Sequence, residues 1–146
     1  PDGYELKWLL SLATGSHRGV APFLIEDVTP RTERIPQDFT HENGVVGIAK
    51  VTVAVGELAQ VEKWYGALLG AKGEAVASGE LGAEGLRLQA GPHILEFLTP
   101  RSAKSPLIEW LRTYGPSPYS AVLKGSGSAP VSLDASLTHG ANLFIT

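Results

Sequence analysis

The apolar positions of this chain recur mainly with the two-residue period of β-strands, in short runs separated by turns that contain Gly or Pro. In the first run every second position from Tyr4 to Leu12 is apolar, whereas the positions between them are mostly polar. Later runs are rich in β-branched or aromatic residues and bounded by glycines. The pattern predicts strands at residues 4–13, 21–28, 45–55, 75–78, 86–90, 93–98, 119–123 and 142–145.

Two segments show the 3.6-residue period of an amphipathic helix instead. The first follows the third strand, has apolar residues at positions 61, 64, 65, 68 and 69, and is expected to end at Gly70. The second begins with Ser105 as the N-cap and Pro106 at the first helical position. A single helical turn is expected after Asp134. Residues 46–98 therefore form a continuous β-α-β-β-β module in this interpretation.

A six-residue pattern (EDVTPR, then EFLTPR) begins at Glu26 and again at Glu96, 96 − 26 = 70 residues later. Such a repeat predicts two related structural units. Each copy places a glutamate near the end of a strand. The same offset of 70 residues makes Ser120 the equivalent of Lys50. The two glutamates either occupy comparable inward positions in the two units or are exposed residues that precede a Pro turn.

The length of the chain favours a single domain over residues 1–146. In this interpretation residues 1–28 supply the last two strands of a module, and residues 118–146 supply its first strand, a short helix and its second strand. We therefore expect the two ends to pair in one sheet and to assemble a second, permuted module beside the continuous one. Because the sequence contains no Met, residue 1 is not an initiator, and we expect sequence upstream of it.

The charge pattern argues against some classes of partner. With 12 basic and 15 acidic residues the formal charge is −3, and no cluster of Lys and Arg is present that could neutralise a phosphate backbone. No apolar run approaches the roughly 20 residues that span a bilayer, and the first residues lack the features of a signal peptide. We expect neither a nucleic acid nor a membrane as partner, with the cytoplasm as the default location. The absence of Cys excludes thiolate chemistry.

The order of these segments, with the local sequence at residues 19–55, 64–70, 115–123 and 137–143, resembles the later portion of the glyoxalase-like domain proteins of bacteria and fungi. Those proteins are part of the vicinal oxygen chelate superfamily, which includes glyoxalase I, extradiol dioxygenases and bleomycin-resistance proteins. The resemblance implies an α+β fold in which paired β-α-β-β-β modules form a curved mixed sheet or open barrel. It also implies a further module upstream of the Pro-Asp-Gly turn.

Superfamily members that use a metal hold it with a His or Gln on the first strand of each module and a Glu on the fourth. The matching fourth-strand positions are Glu26 and Glu96, and the matching first-strand positions are Lys50 and Ser120. A protonated Lys has no lone pair, and Ser is a weak ligand. We therefore expect no metal cofactor with the present residues, and Mn, Fe, Ni or Zn only if the site is completed elsewhere. His41 is a weaker metal candidate than either glutamate.

Lys50 lies within an apolar strand, so its side chain either faces solvent or points inward and pairs with Glu96 or Glu26. An inward pair would be a remnant of the metal site or a polar anchor for a carbonyl ligand. Trp8 is one of the alternating apolar residues of the first strand, so its side chain lies on the apolar face of that strand. It therefore either belongs to the core or lines a concave pocket. The pocket candidates are therefore Glu26, Lys50, Glu96, Trp8 and Ser120.

Three functions are compatible with these observations. The first is a domain that binds a small molecule on the concave sheet face without a complete metal site of its own. The second is a metal-dependent lyase or dioxygenase whose full ligand set needs an upstream module or a partner chain. The third is a structural or dimerisation module, with a homodimer or an upstream fragment of the same protein as partner. The sequence does not decide whether the protein is an enzyme.

Overall fold

A computed structural model describes residues 5–14, 20–37 and 40–146 of the chain. The strands in that part of the chain are β1 (Trp8–Ser11), β2 (Leu24–Asp27), β3 (Gly47–Ala54), β4 (Glu74–Ser78), β5 (Ala83–Ala90), β6 (His93–Pro100), β7 (Ser117–Lys124), β8 (Val131–Ser132) and β9 (Asn142–Ile145). The helices are α1 (Leu58–Val61), a π-helical turn (Glu62–Gly66), α2 (Ala67–Leu69) and α3 (Pro106–Tyr114), with a 3-10 turn at Arg31–Glu33. None of the described helices combines the length and hydropathy that crossing a membrane requires.

Seven strands form one mixed sheet in the order β4-β5-β6-β3-β7-β9-β8, and this sheet is not closed. The central strand β3 runs parallel to β6 and antiparallel to β7. On the far side of β7, β9 runs parallel to it, as β6 runs parallel to β3. The predicted α+β class and mixed sheet are confirmed.

The alternation of side chains along β3 gives the sheet two different faces. Val53 and, just after the strand, Val55 are buried on one face in a core that also contains Val61 and Phe97. Ala54 is buried on the opposite face, in a second core built around Leu98 and Leu107 of α3. The helices therefore cover both faces of the sheet, and the polar residues of β3 share the α3 side.

The two predicted helices form where the sequence places them. The helix after β3 consists of α1, the π-helical turn and α2, and it ends at Gly70 in the left-handed region at φ +63°. The side chain of Ser105 caps α3 by accepting a hydrogen bond from the backbone N–H of Leu107 at 3.3 Å, with Pro106 at the first helical position. The expected helical turn after Asp134 is a series of hydrogen-bonded turns instead.

The described strands at the head of the chain, β1 and β2, do not join the seven-stranded sheet. Strands β1 and β2 pair only with each other, in a two-stranded sheet of their own, and Tyr4 and residues 15–19 lie outside the described residues. The predicted pairing of the head strands with the tail strands is therefore wrong. The reason is that β9 occupies the edge of β7, and residues 131–133 cover the outer edge of β9. The domain boundaries and an upstream module stay predictions.

Candidate functional site

A row of polar side chains crosses five adjacent strands on the α3 side of the sheet. Arg87 of β5 lies opposite Glu96 of β6, and Glu96 lies opposite Thr52 of β3. Across the antiparallel seam, Thr52 lies opposite Ser120 of β7, and Ser120 lies opposite Asn142 of β9. Directly paired residues point to the same face of a sheet, so these five side chains form one line, which we call the polar row.

Four members of the polar row, all except Arg87, line a cavity of about 240 Å³. Lys50 lies two residues before Thr52 on β3 and lines the same cavity. Leu98, Val122 and Phe144 supply apolar wall. A cavity of this size suits a metabolite smaller than a typical drug-sized ligand. The combination of apolar wall and converging polar groups is the usual composition of a ligand site.

Glu96 is the centre of an ion-pair network on the floor of this cavity. Its side chain is only 8% exposed, and Lys50 Nζ donates to its Oε2 at 2.7 Å. The guanidinium of Arg87 donates to the other oxygen, Oε1, through Nη2 at 2.7 Å and Nε at 3.0 Å. Burial alone would raise the pKa of Glu96, but the hydrogen bonds and charges of the two cations outweigh burial and hold its pKa below the ordinary value.

The local sequence explains why Lys50 is tolerated in an apolar strand. Its neighbours Val51 and Val53 face the first core, whereas Lys50, Thr52 and Ala54 lie on the opposite face. The Lys50 side chain remains 34% exposed, so the four-carbon stem reaches along the cavity wall while the ammonium contacts both Glu96 and the open cavity. The inward alternative of the sequence analysis therefore describes Lys50, and Glu96 is its partner.

The structure brings Lys50, Glu96 and Ser120 together but not the other candidates. Glu26 lies opposite Leu9 in the separate two-stranded sheet and is exposed there. Trp8 belongs to the same hairpin and is 45% exposed. The described residues of the hairpin do not line the cavity, and its strands do not pair with the larger sheet.

His41, the weakest metal candidate, lines a different hollow of about 420 Å³ beside Ile48. Two further hollows of about 440 and 490 Å³ lie next to the π-helical turn and between the hairpin and the helix after β3. All three are larger than the cavity of the polar row. We nevertheless regard that cavity as the site, because it alone among the described hollows is lined by a paired buried carboxylate together with hydroxyl and amide groups from neighbouring strands.

Sequence reasoning missed Arg87, Tyr119 and Asn142. Asn142 donates through Nδ2 to the backbone oxygen of Tyr119 at 3.0 Å, which fixes its amide at the cavity edge. Burial, with the nearby charge of Glu80, raises the pKa of Tyr119, so its hydroxyl stays protonated at neutral pH. The alternation of Leu86, Arg87 and Leu88 was the only local signal for Arg87, and for Asn142 the sequence carries no signal.

The donor set of the cavity does not fit a divalent metal held by these residues alone. Both oxygens of Glu96 are already engaged by cations, and the ammonium of Lys50 has no lone pair. Glu80 adds a single exposed carboxylate, and Thr52, Ser120 and Asn142 offer neutral oxygens, which are weak ligands for the transition metals that the resemblance implies. In the described ranges, no group of three His, Cys, Asp or Glu is gathered as a metal would require. That the protein uses no metal stays a prediction.

Comparison with known proteins finds one matching family model and several solved structures with a similar fold. Residues 1–69 match the family described as Glyoxalase-like domain, and no curated protein sequence matches the chain. Methylmalonyl-CoA epimerase from Mycobacterium tuberculosis is 14% identical with a TM-score of 0.61, covering 73% of this chain and 91% of that chain. A hypothetical protein from Bacillus halodurans is 16% identical with a TM-score of 0.58, covering 67% and 91%.

A third similar structure is a variant of the Streptomyces coelicolor methylmalonyl-CoA epimerase in complex with 2-nitronate-propionyl-CoA. It is 14% identical with a TM-score of 0.56, and the match covers 69% of this chain and 93% of that one. At this level of identity the three structures establish the shared fold.

Proposed function

We propose that this chain binds a small molecule in the cavity of the polar row. The match of residues 1–69 to the family described as Glyoxalase-like domain, and the fold shared with the similar solved structures, support this proposal. In this proposal the chain does not supply a complete metal site of its own. The side chains of the polar row orient the ligand instead. Leu98, Val122 and Phe144 exclude water from the apolar part of the ligand.

The observation that carries this proposal is the ion-pair network around Glu96. A charged network inside a cavity places strong hydrogen-bonding groups where a ligand can reach them. The ammonium of Lys50 makes one hydrogen bond to Glu96 and has two further N–H groups. The hydroxyls of Thr52 and Ser120 both donate and accept. Together these groups favour a ligand that is rich in oxygen atoms.

The similar structures support the binding of a small molecule through their shared fold. The variant of the Streptomyces coelicolor epimerase is in complex with 2-nitronate-propionyl-CoA, and a further solved structure is a methylmalonyl-CoA epimerase in complex with methylmalonyl-CoA and NH4+. A scaffold that binds small molecules in those proteins is a reasonable host for one here. The ligand of this chain need not be a CoA compound, because the identity is only 14%.

A direct test is a fragment screen by 15N-labelled NMR with two matched variants. Ser120→Leu fills part of the cavity, whereas Ser136→Leu adds the same side chain in the exposed turn after Asp134. We expect fragments that shift the backbone amides of β3, β7 and β9 and that bind the Ser136→Leu variant but not the Ser120→Leu variant. Fragments that bind both variants equally, or that shift none of these amides, would show that the cavity is not the binding site.

Metal content separates this function from the alternative of a metal-dependent lyase or dioxygenase. Inductively coupled plasma mass spectrometry of chelator-free protein is compared with the Glu96→Ala variant. We expect no transition metal in stoichiometric amount in either protein, before or after reloading with Mn, Fe, Ni or Zn. A stoichiometric metal that is lost in Glu96→Ala would favour the enzyme, with ligands completed by a partner chain or an upstream module.

A further inference from the structure

We propose that the ligand of this cavity is a small monocarboxylate, bound through its carboxylate group to the ammonium of Lys50. This inference rests on the proposed function and adds the chemical class of the ligand. It follows from the count of charges at the floor of the cavity, from the donors that surround Lys50, and from the charge at the rim.

The ion-pair network of Lys50, Arg87 and Glu96 carries one more positive than negative charge. Lys50 and Arg87 both pair with the single carboxylate of Glu96, at 2.7 Å each. Glu74 approaches Arg87 only at 4.0 Å and has a side chain that is 72% exposed, so water screens its charge. Arg87 does not line the cavity, whereas Lys50 does. The uncompensated charge therefore meets a ligand through Lys50.

The groups around Lys50 complete a site for a carboxylate. Thr52 follows Lys50 on the same face of β3, and Ser120 lies directly opposite Thr52 on β7. Both carry hydroxyl groups that can donate to a ligand oxygen. Hydrogen bonds between charged groups are stronger than neutral ones, so a carboxylate gains more here than an amide of the same shape. Leu98 and Phe144 provide apolar wall for the remainder of a short acid.

The rim of the cavity limits the ligand to one negative charge. Glu80 lines the cavity from the turn between β4 and β5 and is exposed. Lys50 is the one cation among the described residues that line the cavity, so a second carboxylate on the ligand would have no cation to pair with. A dicarboxylate or a doubly charged phosphate is therefore disfavoured relative to a monocarboxylate.

The experiment compares matched pairs of probes by the shifts of the Thr52, Ser120 and Asn142 amides in 15N-labelled protein. The probes are acetate, lactate, pyruvate and benzoate, each with its primary amide, and malonate and inorganic phosphate as doubly charged competitors. We expect at least one acid to bind at least about tenfold more tightly than its amide, the effect of about one unscreened charge–charge contact. Malonate and phosphate are expected to bind more weakly than that acid.

Variants at Lys50 complete the test. Lys50→Met should weaken binding of the best acid at least about tenfold, whereas Lys50→Arg should retain most of it because the positive charge stays. Lys63→Met removes a lysine outside the cavity and should leave binding unchanged. If amides bind as well as acids, or Lys50→Met binds as well as wild type, the carboxylate proposal is wrong while small-molecule binding stands. If no acid binds although other fragments do, the same conclusion holds; if nothing binds, both proposals fail.

Discussion

Replacing Glu96 with Gln removes the central charge of the ion-pair network while keeping its shape. The carboxylate accepts one hydrogen bond from Lys50 and two from Arg87, and its side chain is 8% exposed. A Gln side chain has one acceptor oxygen and one NH2 group. In either orientation of the amide, its NH2 group faces Lys50 or Arg87, and both of these are also donors. The cation that faces the NH2 group therefore loses its acceptor.

The magnitude follows from burial. Breaking a fully buried ion pair costs about 3 to 5 kcal/mol, but the side chains of Lys50 and Arg87 are 34% and 43% exposed and can turn toward water. We therefore expect a loss of about 2 kcal/mol at neutral pH, near the value for a hydrogen bond to a charged group. For a chain of this length such a loss lowers the melting temperature by about 4 to 8 °C.

The pH dependence gives a sharper test. The folded-state pKa of Glu96 lies below its ordinary value, so the network contributes stability above the unfolded pKa and loses it as the pH falls through the folded pKa. Urea unfolding of wild type and Glu96→Gln, followed by Trp fluorescence at pH 7 and at about pH 3, should show a difference that shrinks in acid. Glu84→Gln breaks an exposed pair with Arg101 and should cost at most about 0.5 kcal/mol. An equal loss at both pH values, or none at pH 7, would refute this account of the network.

Three further substitutions test the framework of the fold, with stability measured by urea unfolding at neutral pH. Ser105→Ala removes the N-cap of α3 and should cost about 1 kcal/mol of stability. Ser126→Ala in an exposed loop should be nearly neutral, and equal effects of the two substitutions would contradict the capping role. Gly85→Ala places a Cβ against the backbone of β6 and should cost about 3 kcal/mol or prevent folding. Gly79→Ala has open space around its Cβ and should have little effect on stability. A stable Gly85→Ala protein would show that β5 and β6 are farther apart. Trp110→Phe loses a hydrogen bond to β7 at 2.9 Å and should cost about 1 to 2 kcal/mol, and an unchanged midpoint would count against that contact.

The sequence predicted the elements of the fold better than their partners. Strand β3, helix α3 and the end of the first helix at Gly70 follow from local periodicity and capping residues, which act within a few positions of the chain. The pairing of the head hairpin was predicted incorrectly, since which strand fills the edge of β7 depends on competition between distant segments. The short strand β8 has too few residues to show a period.

The candidate site was predicted only in part for the same reason. The partnership of Lys50 and Glu96 was one of the alternatives left open, because a charged residue in an apolar strand needs a counter-charge if it points inward. Arg87 and Asn142 join the site through cross-strand register, and no local pattern encodes that register. The weak candidates Glu26 and Trp8 were assigned on the repeat and on strand phase, neither of which specifies the sheet to which a strand belongs.

The position of β3 at the centre of the larger sheet has a consequence for the speed of folding. Val51 pairs with Leu95 on one side and with Ala121 on the other, separations of 95 − 51 = 44 and 121 − 51 = 70 residues. The chain must close both long loops before these contacts can stabilise it, and a high contact order of this kind slows folding to the millisecond-to-second range. Until β7 arrives, one edge of a strongly apolar strand is open to another molecule, so refolding should become less efficient as protein concentration rises.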